Sequence, residues 1–252
     1  MPQHIFELTQ EPQHVELFGG KVFRLRNPGH VINGHNANRN VPVKYQLPLL
    51  GLTEGKVKSY RRTGLSGLDI GCGEGHLVDY LRQKGFDFEG LDKLERAEPY
   101  FMNQWITGIK GHGGIPRRDD TYDMVFAFQN ATLNSSFSAN TILRDQLEEP
   151  GFLSTEQKKK GGEILANAQY IIYEATRVLK PTGRFVIYPS LVRLEDIMGP
   201  MLEIAGISID TEPVANRDAI AYLTWENGED GAPLRVNRKE SFLYRTVITK
   251  SR

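Results

Sequence analysis

Apolar positions recur along this chain in two rhythms. Short stretches bounded by glycine, proline or charge read as strands. They are Leu68 to Ile70, Phe86 to Leu91, Gln104 to Lys110, Tyr122 to Phe128, Arg184 to Tyr188, Ile207 to Val214 and Phe242 to Thr249. Recurrence at three and four residues marks helices between them. Leu77, Tyr80 and Leu81 lead up to Gly85, a helix stop. Ile164, Ala168, Ile171, Ile172, Ala175, Val178 and Leu179 form a longer stripe that ends at Pro181-Thr182-Gly183. A third stripe runs from Leu194 to Ala205, kinked or restarted at Pro200, and a weaker helix is expected over Ala97 to Asn103. Near the start, Val15 to Leu25 around Gly19-Gly20 reads as a hairpin. Strands alternating with helices predict an α/β domain with a mostly parallel sheet.

One stretch combines both rhythms with chemistry. Leu68 to Ile70 is a buried strand, Gly71, Gly73 and Gly75 form a tight turn, a helix follows, and the next strand ends at Asp92. Glycine is required where a backbone turns sharply and a ligand must approach without meeting a Cβ. A carboxylate at the tip of the second strand can accept hydrogen bonds from both hydroxyls of a ribose. The stretch is therefore suited to a nucleoside-containing cofactor. The dinucleotide pattern G-x-G-x-x-G fails here, because its third glycine position is His76. That spacing disfavours a nicotinamide oxidoreductase.

The form Asp69-x-Gly71-x-Gly73-x-Gly75 resembles motif I of the class I S-adenosylmethionine-dependent methyltransferases. Two further phrases agree in order and spacing. Tyr122-Asp123-Met124-Val125 resembles the start of the family's fourth strand. Glu174 to Ile187, with Leu179-Lys180-Pro181-Thr182-Gly183 inside it, resembles the stretch leading into the fifth. The resemblance implies a Rossmann-like, doubly wound, mostly parallel seven-stranded sheet with an antiparallel last strand over residues 63–252. Residues 1–62 would be an N-terminal extension, which family members often use as a lid. The implied cofactor is S-adenosylmethionine. Its implied contacts are Asp69, Gly71, Cys72, Gly73 and Gly75 in the first turn, and Asp92 with Lys93 at the second strand. Gly111 and His112 would follow the third strand, and Phe128 and Gln129 would end the fourth. Family members often carry an acidic residue for the adenine where this chain has Gly111-His112. No catalytic base is named. Gln129, Asn130 and His112 are candidates by position only.

Composition narrows the partners. The 252 residues hold 31 basic and 31 acidic side chains, so no overall field favours nucleic acid or membrane. No run is long enough to span a bilayer, and the first ten residues lack a signal pattern. Cys72 is the only cysteine, which excludes an internal disulfide and suits a reducing cytoplasm. Within the glycine turn it reads as a small residue that fits rather than as a nucleophile. His30 and His35 lack the cysteine or carboxylate company of a metal site, so no metal is expected. Residues 1–62 carry nine basic against four acidic side chains, densest over Lys56 to Arg62. Lys158-Lys159-Lys160 reads as a solvated loop. The Asn/Asp-Pro-Pro-aromatic signature of many nucleic-acid and protein-glutamine N-methyltransferases is absent from Phe128-Gln129-Asn130-Ala131. The expected activity is methyl transfer to an oxygen or nitrogen of a small molecule. An RNA or protein acceptor, or a non-catalytic cofactor-binding regulator, stays open.

Overall fold

A computed structural model describes residues 14–17, 21–24, 41–92, 96–104, 114–128, 133, 154–189, 206–219, 221 and 243–251. Strands β1 (His14–Leu17) and β2 (Lys21–Arg24) pair antiparallel, as the hairpin reading expects. Two helices follow, α1 (Val43–Leu49) and α2 (Glu54–Thr63). The central unit is β3 (Ser66–Ile70), α3 (His76–Gln83) and β4 (Asp87–Asp92). Next come β5 (Phe101–Asn103), β6 (Tyr122–Phe128), α4 (Thr155–Val178) and β7 (Leu179–Tyr188). The last two strands are β8 (Ile207–Pro213) and β9 (Tyr244–Lys250).

Seven of these strands form one sheet in the order β5-β4-β3-β6-β7-β9-β8. β3 pairs parallel with β4 and β6, and β9 pairs antiparallel with both β7 and β8. The chain leaves β3 toward one edge and returns to β6 on its other side. The switch point therefore lies between β3 and β6, where open α/β sheets bind ligands beyond the carboxyl ends of their strands. This is the expected Rossmann-like, doubly wound arrangement with an antiparallel last strand.

The sheet is covered on both faces. Leu49, Val57, Leu77, Val78 and Leu81 of α1, α2 and α3 share one core with Phe88, Phe126, Val186 and Val247. Ala168, Ile171, Ile172, Ala175 and Val178 of α4 share the other with Leu68, Ile70, Val125, Ala127, Phe185 and Ile187. β6 contributes to both cores, which explains its nearly continuous apolar sequence. Phe88 stacks on Phe126 at 5.6 Å, and a Cβ on Gly67 would lie 2.1 Å from the Phe88 ring. Gly67 is thus a packing glycine.

The amino ends of three strands are tied together. Ser66 donates from its amide and its hydroxyl to Asp123 Oδ2, each at 2.9 Å, and Lys180 Nζ reaches the same oxygen at 2.9 Å. A Cβ on Gly183 would meet the Lys180 carbonyl oxygen at 2.8 Å and the Asp123 carbonyl oxygen at 3.2 Å, so the turn has no room there for a side chain. Asp123 and Lys180 belong to two of the three phrases that carry the family resemblance. Both serve the sheet at the end opposite the glycine turn. The Lys180–Asp123 pair is partly exposed, at 41% and 26%. Lys180→Met should therefore cost only about 0.5–1 kcal/mol in urea unfolding. A loss above about 3 kcal/mol would contradict this reading of a screened surface tie.

Several boundaries differ from the sequence reading. Ala97 to Asn103 is not helical, and a strand forms instead at Phe101–Asn103; of the strand expected from Gln104 to Lys110, residues 105–110 lie outside the described residues. Strand pairing wins there, because Phe101 and Met102 register against Gly90 and Leu91 of β4. α4 begins at Thr155, nine residues before Ile164, so the run Lys158 to Lys160 lies on a helix and not in a loop. β7 begins at Leu179, which pairs with Tyr122 before the Pro181–Gly183 turn, and regular pairing resumes at Arg184. In the segment read as an extension, α2 is capped at its start by Thr53, whose hydroxyl accepts from the Lys56 amide at 3.4 Å, and is ended by Gly64 with φ 64°. Arg245 of β9 reaches back to the carbonyls of Pro48 and Leu49 at the end of α1, each at 3.4 Å. The helix expected over Leu194 to Ala205 lies outside the described residues. Among the described residues no helix is long and apolar enough to cross a membrane.

Candidate cofactor site

The glycine turn is built by its neighbours. Gly71, Gly73 and Gly75 have φ of 77°, 55° and 75°, a region that L side chains rarely enter. The amides of Gly71 and Cys72 donate to the Leu91 carbonyl at 2.7 and 3.3 Å, which folds the end of β3 toward the end of β4. The Gly75 amide donates to the Cys72 carbonyl at 2.9 Å, and α3 begins at the next residue. The Gly73 amide donates to Asp92 Oδ2 at 2.9 Å. Turn and acid are therefore one hydrogen-bonded unit. A carboxylate has roughly four acceptor positions, so Asp92 can orient on Gly73 and still accept from a ligand.

Gly75 has a second reason to be glycine. A Cβ there would lie 2.2 Å from the Phe101 ring, and one on Gly90 would lie 2.5 Å from the same ring and 2.8 Å from Cys72 Sγ. Phe101 fills the space that these two glycines leave. The Arg96 guanidinium lies over the Phe101 ring at 4.3 Å. Glu98 holds Arg96 at 2.9 and 3.0 Å, and Asp79 of α3 holds it at 3.3 Å. Tyr100 donates to Asp79 at 3.0 Å, and Asn103 exchanges two hydrogen bonds with the Arg96 backbone, both 3.0 Å. Residues 96–103 are thus pinned on α3. Sequence reading missed this cluster. The available signal was Gly90, an interior strand glycine that marks close approach of another group.

Gln104 was also missed. Its amide donates to the Asp92 carbonyl at 2.9 Å, and its side chain donates to the Gly114 carbonyl at 2.9 Å. Gly114 lies against Glu174 of α4, where a Cβ would meet Oε2 at 2.0 Å. Glu174, only 4% exposed, accepts the Ile115 amide at 2.8 Å and pairs with Arg177 at 2.6 Å. The carboxyl end of β4 is thereby fastened across β5 to α4.

Asp69 is 3% exposed, and its Oδ1 has no hydrogen-bond partner among the described residues. Burial, and secondarily the negative charge of Asp92, push its carboxyl up to about 7. An orphaned buried acceptor behind a glycine turn is what a donor or cation on a bound ligand would complete. Cys72 is half-buried. Burial raises its thiol above the ordinary range, and Asp69 and Asp92 add to the effect, so it is not a thiolate at neutral pH.

Of the residues singled out from sequence, the fold brings Asp69, Gly71, Cys72, Gly73, Gly75 and Asp92 together at the carboxyl ends of β3 and β4. Phe128 ends β6, the strand next to β3 in the sheet, but its ring is buried and stacks on Tyr188 at 5.5 Å. Lys93, Gly111, His112, Gln129 and Asn130 lie outside the described residues.

Residues 46–138 match the model of a family described as a methyltransferase domain. No curated protein matches the chain. Solved structures that resemble it include a Burkholderia thailandensis 1,6-didemethyltoxoflavin-N1-methyltransferase with bound S-adenosylhomocysteine. It is 11% identical, with 95% of this chain and 99% of that one covered and a TM-score of 0.44. The PH0226 protein of Pyrococcus horikoshii is 14% identical, with 86% and 96% covered and a TM-score of 0.42. A Haloferax volcanii methyltransferase in complex with the Trm112 activator is 14% identical, with 82% and 96% covered and a TM-score of 0.39.

Proposed function

We propose that this chain, which carries a class I S-adenosylmethionine-dependent methyltransferase domain, transfers a methyl group to an oxygen or nitrogen of a small molecule. The observation that carries the cofactor part is the hydrogen bond from the Gly73 amide to Asp92 beside the switch point. It fixes a carboxylate where a ribose would be held, at the edge of a turn that presents backbone rather than side chains. The residues present fit the cofactor. Asp92 would accept from the ribose hydroxyls, Gly71 and Gly73 would let the ligand lie close, and Asp69 would face its charged end.

S-adenosylmethionine supplies an activated methyl group on a sulfonium centre. The chain's own residues then have to bind, orient and exclude water, and positioning alone can supply much of the acceleration. A general base is needed only for a protonated, weakly acidic acceptor. A lid would be sought only in the part of residues 1–62 that precedes α1, because Leu49 and Val57 of α1 and α2 are buried in the sheet's core. A small acceptor is favoured by the balanced charge of the chain and by the lack of a Pro-Pro-aromatic phrase after Gln129.

Thermal unfolding with S-adenosylmethionine, S-adenosylhomocysteine and NAD in parallel tests the cofactor. Ligand at about a hundred times its dissociation constant adds about 2.7 kcal/mol, a rise of roughly 5–10 °C for a domain of this size. A rise with the two adenosyl ligands only is expected, and a rise with NAD alone would overturn the reading. A panel of small amines, phenols and carboxylates, followed by release of S-adenosylhomocysteine, then tests the acceptor. Turnover only with RNA or protein would reject the small-molecule proposal.

A further inference from the structure

We propose that Asp69 holds a proton in the ligand-free protein and releases it when a cationic group of the bound cofactor enters beside it. The inference rests on the cofactor reading above and deepens it. Its basis is geometric. Asp69 is 3% exposed, Oδ1 has no partner among the described residues, and Asp92 lies close enough for its charge to act on it. The register neighbours of Asp69 on β4 and β6 are Gly90 and Phe126, and neither carries a charge. From the glycine turn the group nearby is the Cys72 thiol, itself neutral. Arg96, the cation of the pinned segment, acts on Cys72 and is engaged by Glu98 and Asp79. Glu74 and His76 are paired at 3.4 Å, each about half exposed. An ionised Asp69 would therefore sit buried beside a second carboxylate, with no counter-charge among the described residues.

Binding of a cation reverses this. The Asp69 O–H bond breaks, the proton passes to buffer, and the carboxylate pairs with the ligand's ammonium. Affinity should therefore rise with pH until the ligand-free carboxyl is already ionised, by up to about tenfold per pH unit below about 7. The same group affects the free protein. A carboxyl raised in the folded state binds its proton more tightly there than when unfolded. Its contribution to stability is full below about pH 4 and is lost as pH rises toward 7. The unfolding constant grows by up to about tenfold per unit across that window.

The test uses S-adenosylhomocysteine, which carries the ammonium and cannot turn over. Calorimetric titration at pH 6, 7 and 8, in buffers of different ionisation enthalpy, counts protons. The expected release is most of a proton per ligand at pH 6, falling toward none at pH 8. Asp69→Asn should bind with no release, and its unfolding should lose the slope between pH 4 and 7. Binding with no proton release at pH 6 would overturn the proposal while leaving the cofactor intact. Release that persists in Asp69→Asn would also overturn it. Absence of S-adenosylhomocysteine binding at every pH would remove the cofactor reading and this proposal together. The wild-type pH series stands by itself if the variant does not fold.

Discussion

Replacing Gly75 by alanine is expected to lower the unfolding free energy by about 2–5 kcal/mol. Two effects add. At φ 75° a Cβ costs about 1–2 kcal/mol. The same Cβ would stand 2.2 Å from the buried Phe101 ring, and overpacking of that kind typically costs about 1–3 kcal/mol. Phe101→Ala, which empties the space, should cost about 3 kcal/mol alone. Together the two changes should cost less than their sum by about 1 kcal/mol or more, because the second relieves the clash made by the first. Urea unfolding of the four proteins measures this coupling. Simple additivity would mean that Phe101 does not occupy the Gly75 space, and that Gly75 is glycine for the ligand's sake alone.

Asp92→Ala should weaken binding of S-adenosylhomocysteine by about 1.5–3 kcal/mol, roughly ten- to 150-fold, the range for hydrogen bonds to a charged group. The variant also leaves the Gly73 amide without its acceptor, so a loss of affinity alone would not separate ribose binding from a loosened turn. Asp92→Asn separates them. Its amide oxygen can still accept from Gly73, while the charge and one acceptor oxygen are lost. A loss in both variants, with the ligand-free melting temperature lowered only in Asp92→Ala, assigns the carboxylate to the ligand. Unchanged affinity in both would reject the ribose role.

These two residues also show how far the sequence could be read. The glycine turn and Asp92 were legible because local chemistry dictates them: three glycines at alternate positions, then an acid at a strand end. The second purpose of Gly75 was not legible, because Phe101 arrives from 26 positions later. The same residue explains why a strand stands where a helix was expected over Ala97 to Asn103. Ala97, Tyr100 and Phe101 fall at helical spacing, yet Tyr100 is drawn to Asp79 and Phe101 to the gap left by Gly75 and Gly90. Tertiary demand outweighed local periodicity. The early start of α4 was hidden for the opposite reason. Lys158 to Lys160 and Gly161-Gly162 carry no apolar stripe, so nothing in that stretch announces a helix. α1 was hidden behind Pro48, which usually argues against helix interior. The orphaned Oδ1 of Asp69 follows from burial, and no spacing rule reports it.

The tie among Ser66, Asp123 and Lys180 sits at the far end of the sheet from the glycine turn. It fastens the amino ends of β3, β6 and β7, where the backbone pairing of the sheet is already in register. Loops at the carboxyl ends can then be lengthened, shortened or exchanged without slipping the register beneath them. For an engineer this divides the chain into a chassis and a replaceable rim. Grafting a new acceptor pocket should be attempted at the rim, with those three residues left alone.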